Sequence, residues 1–364
     1  MTTVAEYQKQ ARADDLTIVM VSFKSISLVK KNIETTTRLN PTQKIWWIVI
    51  DNSLESDDRF VGACADGVVL IPGTSLLESE QSNIYSGSIH HAKSLNIGLA
   101  YTKTDWVLVL DPDCFVIVPN WIDLVRQAMV ANGHIFWGTP YHPERFGRFN
   151  VFGGKFMYFP TAICMMIDRG RLQSRYHSHA LDFTPPYSGK CNEVAYREEV
   201  QDLLRGRLVK KDWRLARGWY QLIRMHGIKG ICDALFMVCR RLLEPKQRDT
   251  GFMIYDQYHK KVPHGVTKVN YKRKFPSLFW LWKWIIPQSW CGYPKRSGHW
   301  TSIGSELLSG VKVGRGSWEV FVWNEQPFAI HVGSSGIGNS AAHNDLSLLD
   351  AVLEKQDLSL SKAA

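Results

Sequence analysis

The stretch "DWVLVLDPDCFVIVPNW", Asp105 to Trp121, decides how this chain is read. Val107 to Leu110 form a short apolar run with no polar alternation. Such a run suits a strand covered on both faces. It stops abruptly at Asp111 and Asp113, with Pro112 between them, and a second apolar run starts at once. A buried strand that ends in two carboxylates has delivered them to an edge.

The segments around it alternate in kind. "LTIVMVSF" from Leu16, "KIWWIVIDNS" ending near Asp51, and "GVVLIPG" read as three more buried strands. "SISLVKKNIETTTRL" carries Ile26, Val29, Ile33 and Leu39 at imperfect helical spacing. "SGSIHHAKSLNIGLAYT" is a better helix, with Ile89, Ala92, Leu95, Ile97 and Leu99 on one face and Ser86 or Ser88 as its cap. "NWIDLVRQAMVANG" is a third, with Asn120 as cap and Gly133 as stop. This strand–helix order predicts a largely parallel sheet flanked by helices, an α/β fold. In such sheets ligands bind beyond the carboxyl ends of the strands. Ser22, Asp51, Asp111 and Asp113 all fall at predicted strand ends, so topology alone lines them along one edge.

Beyond Gly133 the pattern is less regular. Ile163 to Ile167 read as a strand, "ALDFTPPYSGK" as a loop, "DTGFMIYDQYHKK" as a helix start with Asp249 or Thr250 near its cap, and "WEVFVWNEQPFAIHVGSSG" as two short strands, the second ending in His331. The tail after Gly338 reads as a terminal helix. The expected organisation is an N-terminal extension (1–15), a ligand-binding half (16–138), a second half (139–338) and a tail (339–364).

Composition narrows the class. The 364 residues are 45% hydrophobic, which fits a folded protein, and the net charge of +10 favours an anionic partner. Seven cysteines, an odd number with no CxxC spacing, argue against a zinc site or a disulfide framework. The polar "MTTVAEYQKQARADD" lacks an apolar signal core. No uncharged apolar run approaches the roughly 20 residues of a membrane span. A cytoplasmic protein is expected.

Two carboxylates spaced D-x-D can hold a hard divalent cation, such as Mn²⁺ or Mg²⁺, together with substrate phosphates. A solvated Asp-Pro-Asp turn would use the same residues; the strand-end context favours the metal. His331 is either a core histidine or a ligand. His90 and His91 are adjacent on a helix and point different ways, so they do not ligate jointly.

The run "TIVMVSF…IVIDNS…GSIHHAKSLNIGLAYTKTDWVLVLDPD" resembles the nucleotide-sugar half of GT-A glycosyltransferases, especially the family 2 type, clearly over Leu16 to Gly138 and weakly beyond. The resemblance implies a Rossmann-like GT-A sheet and a nucleotide-diphosphate sugar as donor. It implies that Ser22 and Asp51 meet the nucleoside and that Lys93 and Asn96 lie on the helix passing the donor. Asp111 would reach the ribose, the sugar or the metal, Asp113 would ligate the metal, and His331 would be a remote third ligand. Relatives often carry D-D-D or D-A-D; the proline here is tolerated because the middle residue need not coordinate.

The resemblance also implies an acceptor-side base. Transfer with inversion needs a carboxylate to take the acceptor proton. Asp249 stands in the family-like position, though an Asp there is equally a simple cap. Asp182 is the alternative, and Glu198 and Glu199 read as solvated charges. Two basic, aromatic-rich tracts, about 200–248 and 271–296, mark the acceptor side. They read as solvated helix faces, as an anionic membrane surface contact, or as a nucleic-acid contact. The expected activity is a metal-dependent, inverting transfer to a glycan or lipid-linked acceptor, with peripheral docking at the inner membrane face. The alternatives are transfer to a hydroxymethylated DNA base and an inactive sugar- or nucleotide-binding protein. Nucleotidyl transfer would want a Gly-rich phosphate loop, which "VSFKSISL" lacks.

Overall fold

A computed structural model of the chain describes residues 2–53, 66–75, 86–140, 159–176, 181–184, 250–270, 317–333, 346 and 349–354. Strands β1 (Leu16–Ser22), β2 (Ile45–Asp51), β3 (Val68–Pro72) and β4 (Trp106–Leu110) lie parallel in the order β3-β2-β1-β4. The register keeps their ends in step: Ser22 stands beside Asp51, and Asp51 beside Pro72. Every residue of β1 is buried. Successive side chains point to opposite faces, so both faces of the sheet are covered. That is why these strands read as unbroken apolar runs.

The sheet continues through β7 (Cys164–Asp168), which runs antiparallel to β4, to β6 (Phe136–Gly138) and β8 (His264–Val266). Since β6 is antiparallel to β7 and parallel to β8, β7 is the one strand of the seven that runs against the rest. The expected α/β class, a mostly parallel sheet with flanking helices, is what the chain forms.

The second apolar run of the opening stretch does not stay in this sheet. As β5 (Cys114–Val116) it enters a four-stranded antiparallel sheet, in the order β5-β11-β10-β9, with β9 (Lys268–Asn270), β10 (Ser317–Trp323) and β11 (Gln326–Gly333). Strands β10 and β11 meet at a two-residue turn whose residues, Asn324 and Glu325, both have positive φ, 50° and 61°. That is the twist a tight hairpin requires.

Helix α1 (Val4–Gln10) was not expected in the polar N-terminal segment. It starts with a capping box between Thr3 and Glu6. Its Tyr7 is buried, meets Trp46 edge-on at 5.4 Å, and shares a 2.8 Å hydrogen bond between its hydroxyl and Thr17 Oγ1. Helix α2 (Ile26–Leu39) packs on β1 and β5. Helix α4 (Trp121–Ala131) follows Asn120 as expected, but Asn120 does not cap it: it takes a left-handed φ of 51° and makes no side-chain cap bond. Asn40, at the end of α2, fills the role instead, its Oδ1 accepting from Ile122 N at 3.1 Å. Gly133 does mark the stop, at φ 68°. Short helices α5 (Arg169–Tyr176) and α6 (Phe252–Tyr258) complete the set, with a further helical segment at 349–354. No helix among the described residues is long and apolar enough to cross a membrane.

Helix α3 (Ser86–Tyr101) packs on β1 and β2. Because the helix begins at Ser86, Ser88 lies in its first turn and is not its cap. The close approach depends on Gly98, where a Cβ would fall 2.5 Å from Val19 Cγ1 and 2.7 Å from Ile50 Cδ1. In an isolated helix, replacing glycine gains up to about 1 kcal/mol. Here packing decides the sign: Gly98→Val is expected to destabilise the fold by about 2 kcal/mol, measured by denaturant unfolding. Unchanged or raised stability would refute the tight approach.

Candidate metal centre

The chain leaves β4 through a turn, Asp111-Pro112-Asp113-Cys114, closed by Cys114 N donating to Asp111 O at 3.0 Å. Proline suits its second position, where φ near −65° is wanted. Asp111 N donates to Ile163 O at 2.9 Å, which ties the turn to the segment entering β7. Past the turn, β5 pairs antiparallel with β11, and Cys114 stands opposite His331. The pairing carries His331 Nε2 to 3.3 Å from Asp113 Oδ1. Ligand atoms of Asp111, Asp113 and His331 lie within 4.8 Å of one another, a possible Asp-Asp-His metal site. Their side chains are 22%, 13% and 3% exposed, so the group opens to solvent on the Asp111 side. Two half-buried carboxylates at this spacing repel each other. A divalent cation between them would relieve the repulsion, and the two carboxylates and one imidazole are a donor set that fits one.

One site residue escaped the sequence reading. His91 Nε2 lies 3.3 Å from Asp111 Oδ1. Its neighbour turns away, with His90 Nε2 2.7 Å from Thr74 O, as adjacent helical residues must. Weighing the two histidines as a pair hid the one that faces the carboxylate. The signal lay in α3 itself, which crosses the strand ends beside β1.

The other expected donor-edge residues fall as follows. Ser22 is fully buried; its hydroxyl lies 3.5 Å from Ser25 Oγ, and its carbonyl accepts from Asn52 N at 2.8 Å. Asp51 is half-buried, and its Oδ1 accepts from Ser53 N at 2.9 Å. Ser53 Oγ in turn accepts from Lys24 N at 3.0 Å, tying the loop after β1 to the loop after β2. Asn52 Oδ1 accepts from Ser94 Oγ at 2.8 Å, and any Cβ at position 73 would sit 1.9 Å from that oxygen, which restricts the position to glycine. Lys93 is half-buried on α3.

Asn96 uses both ends of its amide on one segment. Its Nδ2 donates to Asp182 Oδ1 at 2.7 Å and to Thr184 Oγ1 at 3.0 Å, and its Oδ1 accepts from Phe183 N at 2.8 Å. Asp182 is exposed, and its Oδ1 also accepts from Thr184 N at 2.8 Å. Phe183 O then accepts from Gly251 N at 2.8 Å, so α3, Asp182 and the start of α6 are joined. Helix α6 begins at Phe252 with Gly251 as N-cap at φ 85°, so Thr250 stands next to the cap, as expected. Only glycine takes that left-handed conformation freely. Asp249, Glu198, Glu199 and the tracts 200–248 and 271–296 lie outside the described residues.

No protein-family model matches the chain, and no curated protein matches it. Solved structures align with part of the chain. A mannosyltransferase from Pyrobaculum calidifontis, in complex with GDP-mannose and Mn²⁺, is 14% identical at a TM-score of 0.31 over 46% of this chain and 51% of its own. Glucosyl-3-phosphoglycerate synthase from Mycobacterium tuberculosis, with Mn²⁺, UDP and glucosyl-3-phosphoglycerate, is 17% identical at 0.31 over 47% and 62%. The galactosyltransferase LgtC, with donor and acceptor sugar analogues, is 16% identical at 0.30 over 44% and 61%. The matched part thus spans half to three fifths of those chains.

Two free cysteines, Cys114 and Cys164, are buried behind the turn. Burial first, then the Cys164 thiol and the nearby Asp113 and Asp111 charges, push the Cys114 thiol well above its ordinary range. The thiolate is the reactive form, and Cys164 is shielded by being only 1% exposed, so the native protein at about pH 8 should leave both cysteines unmodified by iodoacetamide. Both should label after unfolding in guanidinium, read by peptide mass spectrometry. Labelling of native Cys114 would show that the turn opens.

Proposed function

We infer that this chain is a metal-dependent glycosyltransferase that moves a sugar from a nucleotide-diphosphate sugar to an acceptor hydroxyl. The observation that carries the reading is the convergence of Asp111, Asp113 and His331 at the carboxyl edge of a mostly parallel sheet. Those three residues would hold Mn²⁺ or Mg²⁺; the mixed oxygen and nitrogen donor set suits Mn²⁺ better. When bound, the cation supplies a Lewis acid to the diphosphate leaving group.

The chain's own groups supply the rest. In this reading Asp51, at the end of β2, meets the nucleoside, and Lys93, on α3, meets the donor's negative charge. His91 orients Asp111 through their 3.3 Å contact. A carboxylate must take the acceptor proton as the hydroxyl attacks the anomeric carbon, and transfer is inverting in this reading. Asp249 is assigned that role. In support, Thr250, the next residue, donates from Oγ1 to Ser88 O at 3.1 Å and is thereby held on the helix that carries His91. The acceptor is taken to be a lipid-linked or surface glycan, which suits the apolar, tryptophan-rich composition of "FPSLFWLWKWIIPQSW".

A thermal-shift panel of nucleotide-diphosphate sugars, each with and without Mn²⁺, tests the donor and the metal together. Ligand at a hundred times its Kd stabilises the native state by about 2.7 kcal/mol. One nucleotide class should raise Tm only with Mn²⁺, and Asp113→Ala should remove the shift. No shift with any donor at millimolar concentration would sink the reading. For the base, Asp249→Asn should cut transfer by about 100-fold or more while the donor-induced shift persists. Full activity in that variant would hand the role to Asp182.

A further inference from the structure

Asn32 lies inside α2, where asparagine is a poor helix former because its amide competes for backbone partners. Its side chain does not reach solvent, at 1% exposure. Nδ2 donates to Cys114 O at 2.7 Å and to Pro112 O at 3.3 Å, while Oδ1 accepts from Thr36 Oγ1 at 3.3 Å. Both amide hydrogens therefore go to one turn, and they bracket one residue: Pro112 precedes Asp113 and Cys114 follows it. The Pro112 carbonyl belongs to the peptide plane that enters Asp113, and the Cys114 carbonyl to the plane one residue beyond it. Holding both restrains the backbone before and after Asp113, and with it the direction of the Asp113 Cα–Cβ bond.

We propose that Asn32 is a positioning residue for the metal centre. It touches neither metal nor substrate. It holds the Asp-Pro-Asp turn from behind, so that Asp113 meets His331 and Asp111 at ligating distance. The inference rests on the metal reading given above. It differs from a plain clamp between helix and sheet in one respect: removing the amide must weaken metal binding beyond any loss of stability.

A second buried asparagine, at the C-terminal end of the same helix, provides the comparison. Asn40 is also 1% exposed; its Nδ2 donates to Thr36 O at 2.8 Å and its Oδ1 accepts from Ile122 N at 3.1 Å. None of those bonds reaches the turn. The experiment titrates Mn²⁺ alone into the full chain, follows free ion by electron paramagnetic resonance, and measures Tm in parallel. Asn32→Leu should weaken Mn²⁺ binding by about 10- to 100-fold, the usual cost of losing a group that orients a metal ligand. Asn32→Ser, which keeps one short donor, is the second variant that keeps the test decisive should the leucine variant fail to fold, and it should weaken binding to a lesser degree. Asn40→Ala should lower Tm with Mn²⁺ affinity unchanged. Undiminished affinity in Asn32→Ser, or an equal loss in Asn40→Ala, would overturn the proposal while leaving the metal reading intact. Failure of the unsubstituted chain to bind Mn²⁺ would overturn the metal reading, and this inference with it.

Discussion

The antiparallel pairing of β5 with β11 is the constraint on which the candidate site depends. Strand β4 can deliver Asp111 and Asp113 to an edge without help, because a buried parallel strand must end where its neighbours end. Nothing in that sheet brings a third ligand. His331 arrives only because the chain, having turned at Pro112, abandons the first sheet for the second and pairs Cys114 opposite His331. A shift of one residue in that register would send the imidazole to the other face of the strand. Phe115, Phe328 and Ile330, all fully buried, lie on the face opposite His331 and so pin the register.

What was legible in the sequence follows from this division. Strands β1 to β4 are buried on both faces, so they appear as apolar runs and their ends mark the edge. The carboxylates could be placed by that alone. β5 was not legible, because "CFV" is too short to show a period and directly follows a turn. Helix α1 is one face of polar residues around a single buried tyrosine, and it reads as an extension until Tyr7 is seen against Trp46. Asn120 has the right residue type for a cap but the wrong backbone, and Asn40, far away in sequence, caps α4 instead. His91 and Asn32 share the same difficulty. Their meaning lies in what they face across the fold, and no local pattern records it.

The polar groups at the strand ends are also linked to one another. Ser22, Asn52, Ser53 and Ser94 pass hydrogen bonds between the loop after β1, the loop after β2 and helix α3. Buried polar groups that are fully paired make a rigid rim, and unpaired ones would be costly. Gly73 and Gly98 serve the same end by absence, since each leaves space that a single carbon would fill. The edge is thus held from three sides before any ligand arrives.

The composite origin of the site also bears on the order in which the chain becomes competent. Asp111 and Asp113 belong to a sheet whose strands are supplied early in synthesis, whereas His331 belongs to a hairpin made much later. Contacts between such distant segments carry the larger loop-closure cost and form late in folding. A growing chain that has passed Cys114 but not Gly333 therefore holds the two carboxylates and His91 but lacks His331. The three-residue cluster is thus complete only when the second sheet is, and under the proposed function metal capture waits for that step.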